Sequence, residues 1–496
     1  MPHPSDVPRV ELAPGLSISR ALTGLWQIAD LERGGTPLDP EATADAMAPY
    51  ADAGLTTFDM ADHYGSAELI AGAFRRRRPE GEVQLLTKWV PEPGPVDRAT
   101  VRDAVDRARA RLGVERIDLL QFHTWAYDDP SWMDALFYLQ ELKEQGVVRA
   151  LGLTNFDAAH LRLACASGVE IASNQVAYSL LDRRAAGDMV EVCERYGVQL
   201  LGYGTVAGGL LTERWVDAPE PVGDALETWS QMKYRRFVDA AGGWSVFQQL
   251  LRAVKRVAER HGVSMATVAS RYVLEQPSVA GVIIGARLGR SAHVEDTVAL
   301  FSFDLDDDDR AVLEAALTGL QPIPGDSGDE YRKPPFLTAS GDLSHHVAAF
   351  PAPFPVRAGA GGRPRVLTGT VWETMAGFAR AIRVGDRVLV SGTTATHGMR
   401  LVGGDDAEAQ THAAIDKVAG ALRSLGASLE DVVRTRLFVK RVADADAVTR
   451  AHGRRFGDVQ PANTLVQADL IGDGYLVEME AEAVLPPTPT GRRVPL

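Results

Sequence analysis

Gln84-Leu85-Leu86-Thr87-Lys88-Trp89-Val90 is an apolar run with a lysine set inside it. Its length and the polar residues before it give a buried strand over Val83–Lys88. A lysine there is costly to desolvate unless it is paired or put to use. Two neighbouring strand candidates close on ionisable residues as well: Leu55–Asp59 ends on Asp59, and Ile117–Phe122 runs into His123. Tyr64 follows Asp59 in the next loop. Ionisable side chains at the C-terminal ends of successive strands are how a (β/α)8 barrel assembles an active site. The plainer alternative is a buried Asp59–Lys88 ion pair kept for structure alone.

Outward from this run the alternation continues in both directions. The remaining strand candidates are Ser19–Leu25, Val148–Leu153, Ile171–Gln175, Gln199–Gly202 and Gly281–Ile284. Amphipathic segments lie between them: Glu41–Ala53, Arg98–Leu112, Ser131–Gln145, Ala158–Ala166, Ala186–Tyr196 and Ser264–Glu275. Eight strands, each with a helix-like follower, predict an α/β fold, a (β/α)8 TIM barrel over residues 1–325. Pro14-Gly15, between Val10–Leu12 and Leu16–Ser19, predicts a hairpin under the barrel. The stretch from Tyr203 to Val246 shows no regular period, yet holds Trp215, Trp229, Tyr234, Phe237 and Trp244. It is read as an ordered lid or pocket wall.

Pro, Gly and small residues mark 326–365 as a linker. Pattern resumes over 366–496: strands Ala381–Val384, Arg387–Ser391, Val432–Val439, Thr464–Ala468 and Tyr475–Val484, with helices Asp406–Leu425 and Asp444–Phe456. This order predicts a smaller α+β domain. Two domains suit 496 residues. The net charge of −14 argues against a nucleic-acid partner. No run is apolar for long enough to cross a membrane. The polar N-terminus lacks a secretory h-region, and Cys165 and Cys193 are the only cysteines, so a cytoplasmic protein without disulfides is expected. No metal is expected, since His345-His346 has no further ligands at useful spacing.

The first 320 residues resemble the aldo-keto reductase superfamily. Phe58-Asp59-Met60-Ala61-Asp62-His63-Tyr64-Gly65 is similar to its FDTAxxYG signature, with Met60 for the usual Thr. Leu151-Gly152-Leu153-Thr154-Asn155-Phe156 resembles GxSNF, and Asn174-Gln175 with Tyr178 resembles NQxxYS. Gly281–Arg287 resembles the stretch ending in GAR. The resemblance implies a catalytic tetrad of Asp59, Tyr64, Lys88 and His123. It also implies a nicotinamide cofactor, NADPH ahead of NADH, held by Thr154, Asn155, Gln175, Tyr203, Gly285, Ala286, Arg287 and Ser291. Arg287 would face the 2′-phosphate. Thr154 and Thr297 depart from the usual Ser and Asn and bear on the adenosine side. A free phenol titrates near pKa of about 10, so Lys88 beside Tyr64 would make it a usable acid. Asp59 would hold Lys88, and His123 would orient the substrate oxygen. Trp26, Trp89 and Trp125 are candidates for a substrate pocket or for packing.

Residues 375–487 resemble the RidA/YjgF family of enamine/imine deaminases, through Arg383–Gly392, Leu425–Val439, Gln460–Thr464 and Val477–Val484. The resemblance implies a chorismate-mutase-like α+β domain and a homotrimer. The family's pocket positions fall at Phe378, Asn463 and Glu478; Asn463 replaces an arginine and cannot bind a carboxylate bidentately. Three functions follow as expectations. The first is NADPH-dependent reduction of an aldehyde or ketone, or its reverse. The second is reduction of an imine or enamine that the second domain also binds. The third is a cofactor-binding sensor or scaffold with the second domain as trimerisation module.

Overall fold

The computed structural model describes residues 7–28, 36–221, 225–226, 228–289, 293–332 and 350–486. Strands β1 (Arg9–Ala13) and β2 (Leu16–Ser19) form the hairpin around Pro14-Gly15, with Gly15 in the left-handed region at φ 71°. Then come β3 (Ala21–Gly24), β4 (Thr57–Asp59), β5 (Gln84–Trp89), β6 (Ile117–Phe122), β7 (Val148–Thr154), β8 (Ile171–Ala177), β9 (Gln199–Tyr203) and β10 (Val279–Gly285). These eight close into a parallel barrel, β10 pairing with both β9 and β3. Leu12, Leu16 and Ile18 of the hairpin pack with Leu22, Leu86, Leu119, Ala150 and Leu201, which fills the barrel floor. Residues two further along β5 and β6 share the inward face. Lys88 and Gln121 therefore sit one layer above Leu86 and Leu119, at the mouth.

Helix boundaries follow local chemistry. Asp97 caps Arg98–Leu112 by accepting from Thr100 N (2.8 Å), and Gly113 ends that helix at φ 64°. The segment predicted as one helix over Glu41–Ala53 is instead Pro40–Ala44, a 3-10 turn at Asp45–Met47, and Ala48–Asp52. Pro49 supplies the reason, having no N–H and a ring that clashes with the carbonyl four residues back. Within the Tyr203–Val246 stretch, read as having no regular period, Trp229–Ala240 is a helix capped by Thr228. Buried Tyr234, Phe237 and Val238, with the C-cap Ala241, fall at i, i+3, i+4 and i+7. Polar and basic neighbours had hidden that stripe.

The second domain is a seven-stranded sheet: β11 (Val356–Ala358), β12 (Pro364–Val366), β13 (Ala381–Val384), β14 (Arg387–Thr394), β19 (Val477–Val484), β17 (Val432–Val439) and β18 (Ala462–Gln467), in that spatial order. A two-residue pair, β15 (Thr396–His397) and β16 (Arg400–Leu401), stands apart. Helices Ala407–Ser424 and Ala445–Phe456 cover one face of the large sheet, sealing Val388, Val390, Leu437, Met479 and Ala481.

Helix Ala407–Ser424 also packs on barrel helix Ala158–Ala166. A side chain at Gly420 would strike the Asp128 carbonyl, so the helix lies this close to the loop after β6 only because that position is glycine. Arg162 donates to Asp406 (2.8 Å) and Glu408 (2.7 Å), and His397 pairs with Asp134 (2.7 Å). At the centre, buried His160 bridges Asp157 (2.6 Å) and Asp416 (3.0 Å) and stacks on Tyr127, ring centres 3.3 Å apart. Burial alone disfavours charge on all three groups, but their mutual attraction outweighs it: His160 is raised, Asp157 and Asp416 lowered. The His160 share of stability is thus complete below the ordinary imidazole value of about 6.5 and drains away as pH rises through the higher folded value. The aspartate shares are present above about pH 3.9 and are lost as pH falls. Native Tm should therefore fall, relative to a His160→Leu variant, as pH rises above about 6.5. Asp416→Ala, which removes one of the two carboxylates facing His160 and the partner of Arg455 (2.6 Å), should cost about 3–5 kcal/mol in denaturant melts. A pH-independent difference between native and variant would contradict this account.

Candidate active site

A cavity of about 570 Å³ opens at the C-terminal ends of the barrel strands. Its wall includes Asp59, Tyr64, Lys88 and His123, and on the β10 side Gly285, Arg287, His293, Asp296 and Thr297. Asp59 is the hub. Lys88 Nζ donates to its Oδ2 (2.6 Å) and to the Met60 carbonyl (2.8 Å). Gln121 Nε2 (2.9 Å) and Gln175 Nε2 (2.8 Å) donate to its Oδ1. Burial pulls the Lys88 pKa down, and the Asp59 carboxylate opposes that pull.

Lys88 Nζ stands 5.1 Å from the Tyr64 ring centre, and Trp26 meets that ring edge-on at 5.0 Å. His123 Nδ1 lies 3.3 Å from the Thr154 carbonyl, which can only accept, so this nitrogen carries a proton. Trp125 packs edge-on against the His123 ring at 4.5 Å, and its own Nε1 donates to the Pro91 carbonyl (3.0 Å). Trp26 and Trp125 line the cavity. Trp89 does not; it packs in the wall against Phe122, 5.5 Å away.

Next to the tetrad, Asn155 adopts φ 59°, a left-handed conformation that Asn tolerates. Its Oδ1 accepts from Tyr203 Oη (2.6 Å). Gln175 spends its Nε2 on Asp59 and on Gln121 Oε1 (2.8 Å). Asn155 Nδ2 then remains as a donor and Gln175 Oε1 as an acceptor. One donor beside one acceptor is the complement of a primary carboxamide, so these residues fit a nicotinamide. Thr154, Gly285 and Arg287 also line the cavity. Ala286 is buried, and its N–H donates to the Gly24 carbonyl (2.9 Å) in the barrel seam. Ser291 and His345-His346 lie outside the described residues. Among the described residues no group of three or more His, Cys, Asp or Glu is placed to hold a metal, and no helix is long and apolar enough to cross a membrane.

Sequence reasoning missed Gln121, Lys233, Glu330 and Tyr331. Gln121 had a signal, a polar residue in an apolar strand at the i+2 position from Leu119. Tyr331 had none, since it falls in the Pro/Gly-rich stretch. Lys233, Tyr331 and Tyr234 all line the cavity. In the second domain, Arg380 lies 5.4 Å from the Phe378 ring, and Glu478 is pushed up by burial and by Glu480. Asn463 is not brought to them: it pairs with Thr435 on β17, whereas Glu478 pairs with Phe438, three residues further along.

Residues 22–318 match the model of the Aldo/keto reductase family. The chain belongs to the aldo/keto reductase family. This aldo/keto reductase continues into a RidA/L-PSP domain, residues 369–485 matching the Endoribonuclease L-PSP model. It is similar to flagellar radial spoke protein 5 of Chlamydomonas reinhardtii, 28% identical over 48% of this chain and 58% of that protein. It thus spans little more than half of that relative. NADH-specific methylglyoxal reductase of Escherichia coli is 24% identical over 62% of this chain and 97% of its own length. For the second domain, an uncharacterised Streptomyces coelicolor protein is 43% identical over 24% of this chain and 90% of its own.

The Asp59 hub yields a stability test. Asp59→Asn leaves Lys88 buried without its counter-charge and should cost about 3–5 kcal/mol in denaturant unfolding. Adding Lys88→Met should return part of that loss, since the uncompensated charge is then gone. Strictly additive costs would show that the pair is not coupled.

Proposed function

We propose that this aldo/keto reductase interconverts a small aldehyde or ketone with its alcohol, with a nicotinamide as redox partner and Tyr64 as the proton donor. The observation that carries the reading is the convergence of Tyr64, Lys88, Asp59 and His123 on one cavity beside a donor–acceptor pair suited to a carboxamide. When bound, the cofactor supplies the hydride, which no side chain here can give. The chain's own residues handle oxygen and proton. Tyr64 delivers the proton to the carbonyl oxygen. Lys88 stabilises the phenolate left behind, and Asp59, with Gln121 and Gln175, keeps Lys88 in position. His123 holds the same oxygen and stabilises its developing charge. In the reverse direction Tyr64 takes the alcohol proton.

NADPH is the proposed partner. Arg287, in the cavity wall after β10, suits a 2′-phosphate through its planar guanidinium. The NADH specificity named for the Escherichia coli relative makes this the point to test first. The working form is proposed to be a cytoplasmic homotrimer built through the second domain. Leu389, Val466 and Val484 stand exposed on the sheet face opposite the helices and suit self-association.

Tyr64→Phe should lower kcat by about 10²–10⁴-fold in a spectrophotometric assay of carbonyl reduction, while fluorescence titration still shows nucleotide binding. Full activity in this variant would remove Tyr64 from the chemistry. Arg287→Ala should lower the ratio of NADPH to NADH affinity by about tenfold or more, the scale of a charge-assisted contact to phosphate. An unchanged ratio would place the phosphate elsewhere.

A further inference from the structure

Asn155, proposed above as a carboxamide ligand, lies in the loop 155–157 between β7 and helix Ala158–Ala166. Its φ of 59° falls in a region sparsely populated even for Asn, so the loop has to be held there. The backbone is pinned at each residue. Asn155 N donates to the Gln175 carbonyl (2.8 Å), Asn174 Nδ2 donates to the Phe156 carbonyl (2.9 Å), and Asp157 N donates to Tyr127 Oη (3.1 Å). Beyond the last barrel helix, Asp307–Leu317, residues 326–332 fold back across this loop. Gly328, at φ 84°, presses so closely on the Asn155 carbonyl that any side chain there would collide with it. Helix Asp329–Arg332 puts Tyr331 into the cavity wall, and the Arg332 guanidinium covers the Tyr127 ring at 4.2 Å. Arg184 fastens the segment, donating to the Asp326 carbonyl (2.8 Å) and pairing with Glu330 (3.0 Å).

The far end of the loop is held by the second domain. Asp157 Oδ1 accepts from His160 N (2.8 Å) and faces His160 Nδ1 (2.6 Å). His160 Nε2 meets Asp416 Oδ2 (3.0 Å), and Arg455 donates to the other Asp416 oxygen (2.6 Å). Only a doubly protonated imidazole donates at both nitrogens. Tyr127 grips the same group from the barrel side, its ring stacked on His160 and its hydroxyl on the Asp157 N–H. An unbroken line of hydrogen bonds thus runs from Arg455 through Asp416 and His160 to Asp157, in the same loop as Asn155.

We propose that Asp416 of the second domain, steadied by Arg455, is a positioning residue for the barrel's nicotinamide site: through His160 and Asp157 it holds the Asn155 loop in the conformation that binds nucleotide. This rests on the reductase reading above. A loop released from this line spends part of its time in conformers that do not bind, and the apparent affinity falls by that fraction. The second domain thereby sets how tightly the barrel holds its redox partner. Around His160 stand Asp157, Tyr127 of the loop after β6, and Asp416 and His412 of helix Ala407–Ser424. Arg332 and Asp326 of the fold-back act on Asp157, and Arg455 and Asp128 act on Asp416. Burial, with Arg455 and His160 nearby, pushes His412 down to about 3, so it stays neutral. Burial also opposes charge on His160, but Asp157 and Asp416 outweigh it and lift its pKa. Once His160 loses its proton, one carboxylate loses its donor. Nucleotide affinity should therefore fall as pH rises through the His160 value.

The test is fluorescence titration of the full chain with NADPH and NADH. Asp416→Asn keeps the side chain's size and removes its charge. It should raise Kd by about 5-fold or more, the scale of coupling between linked sites. His397→Ala breaks another seam pair, His397–Asp134, that has no link to the loop, and should leave Kd unchanged. Asn155→Gly keeps the left-handed backbone available and removes the amide, so in that background Asp416→Asn should have no further effect. The native protein supplies a measurement that needs no variant. Because linkage is reciprocal, saturating nucleotide must raise the His160 pKa, read by NMR titration of the labelled imidazoles. An unchanged Kd in Asp416→Asn, an equal loss in His397→Ala, the same loss without the Asn155 side chain, or an unmoved His160 titration would each overturn the inference. If the native protein binds neither nucleotide, the reductase reading itself fails, and this inference with it.

Discussion

The Asp59 carboxylate joins four barrel strands at their mouth. Lys88 comes from β5, Gln121 from β6 and Gln175 from β8, and each donates to the β4 aspartate. Such a charge in a barrel interior is tolerable only because every oxygen of it is occupied. The geometry of the Asp59–Tyr64–Lys88 group is therefore a by-product of satisfying one buried anion. Lys88 is where it is because Asp59 needs a cation there, and Tyr64 is near Lys88 because it follows Asp59 by one tight loop. Gln175 joins the cavity wall already oriented, since its amide nitrogen is committed to the hub.

The barrel was legible from residues 19–285 because strand, loop and helix are short and the apolar pattern repeats eight times. The convergence of Asp59, Tyr64, Lys88 and His123 on one cavity was legible for a related reason. Charged residues in apolar runs stand out, and strand ends in a barrel converge by construction. What the sequence did not yield are contacts made by chain segments that return from a distance. Tyr331 lies 128 residues beyond Tyr203, yet their hydroxyls are 3.3 Å apart. Nothing in Asp326–Arg332 has a period, and its place is set by Arg184 and Glu330, which are charged partners visible only in three dimensions. The helix Trp229–Ala240 was obscured differently: its stripe is present, but the polar and basic residues interleaved with it masked the period.

The second domain shows the same division. Its strands and helices follow apolar alternation closely, whereas its seam with the barrel does not. His160 is an ordinary residue within a predicted helix, and Asp416 another, 256 positions away. Only their burial in one shared cluster gives them a role. Glycine at 420 is likewise meaningful only because the Asp128 carbonyl lies against it.

The fold-back at Asp326–Arg332 has a consequence for how such a chain diversifies. The peptide that tethers the second domain also furnishes part of the wall of the barrel's cavity. Recombination that exchanged the appended domain at this joint would not be a neutral change of passenger, because it would redraw the wall of the barrel's own cavity. The two halves are thus bound by inheritance at their junction, and selection on one must act on what the other is free to become.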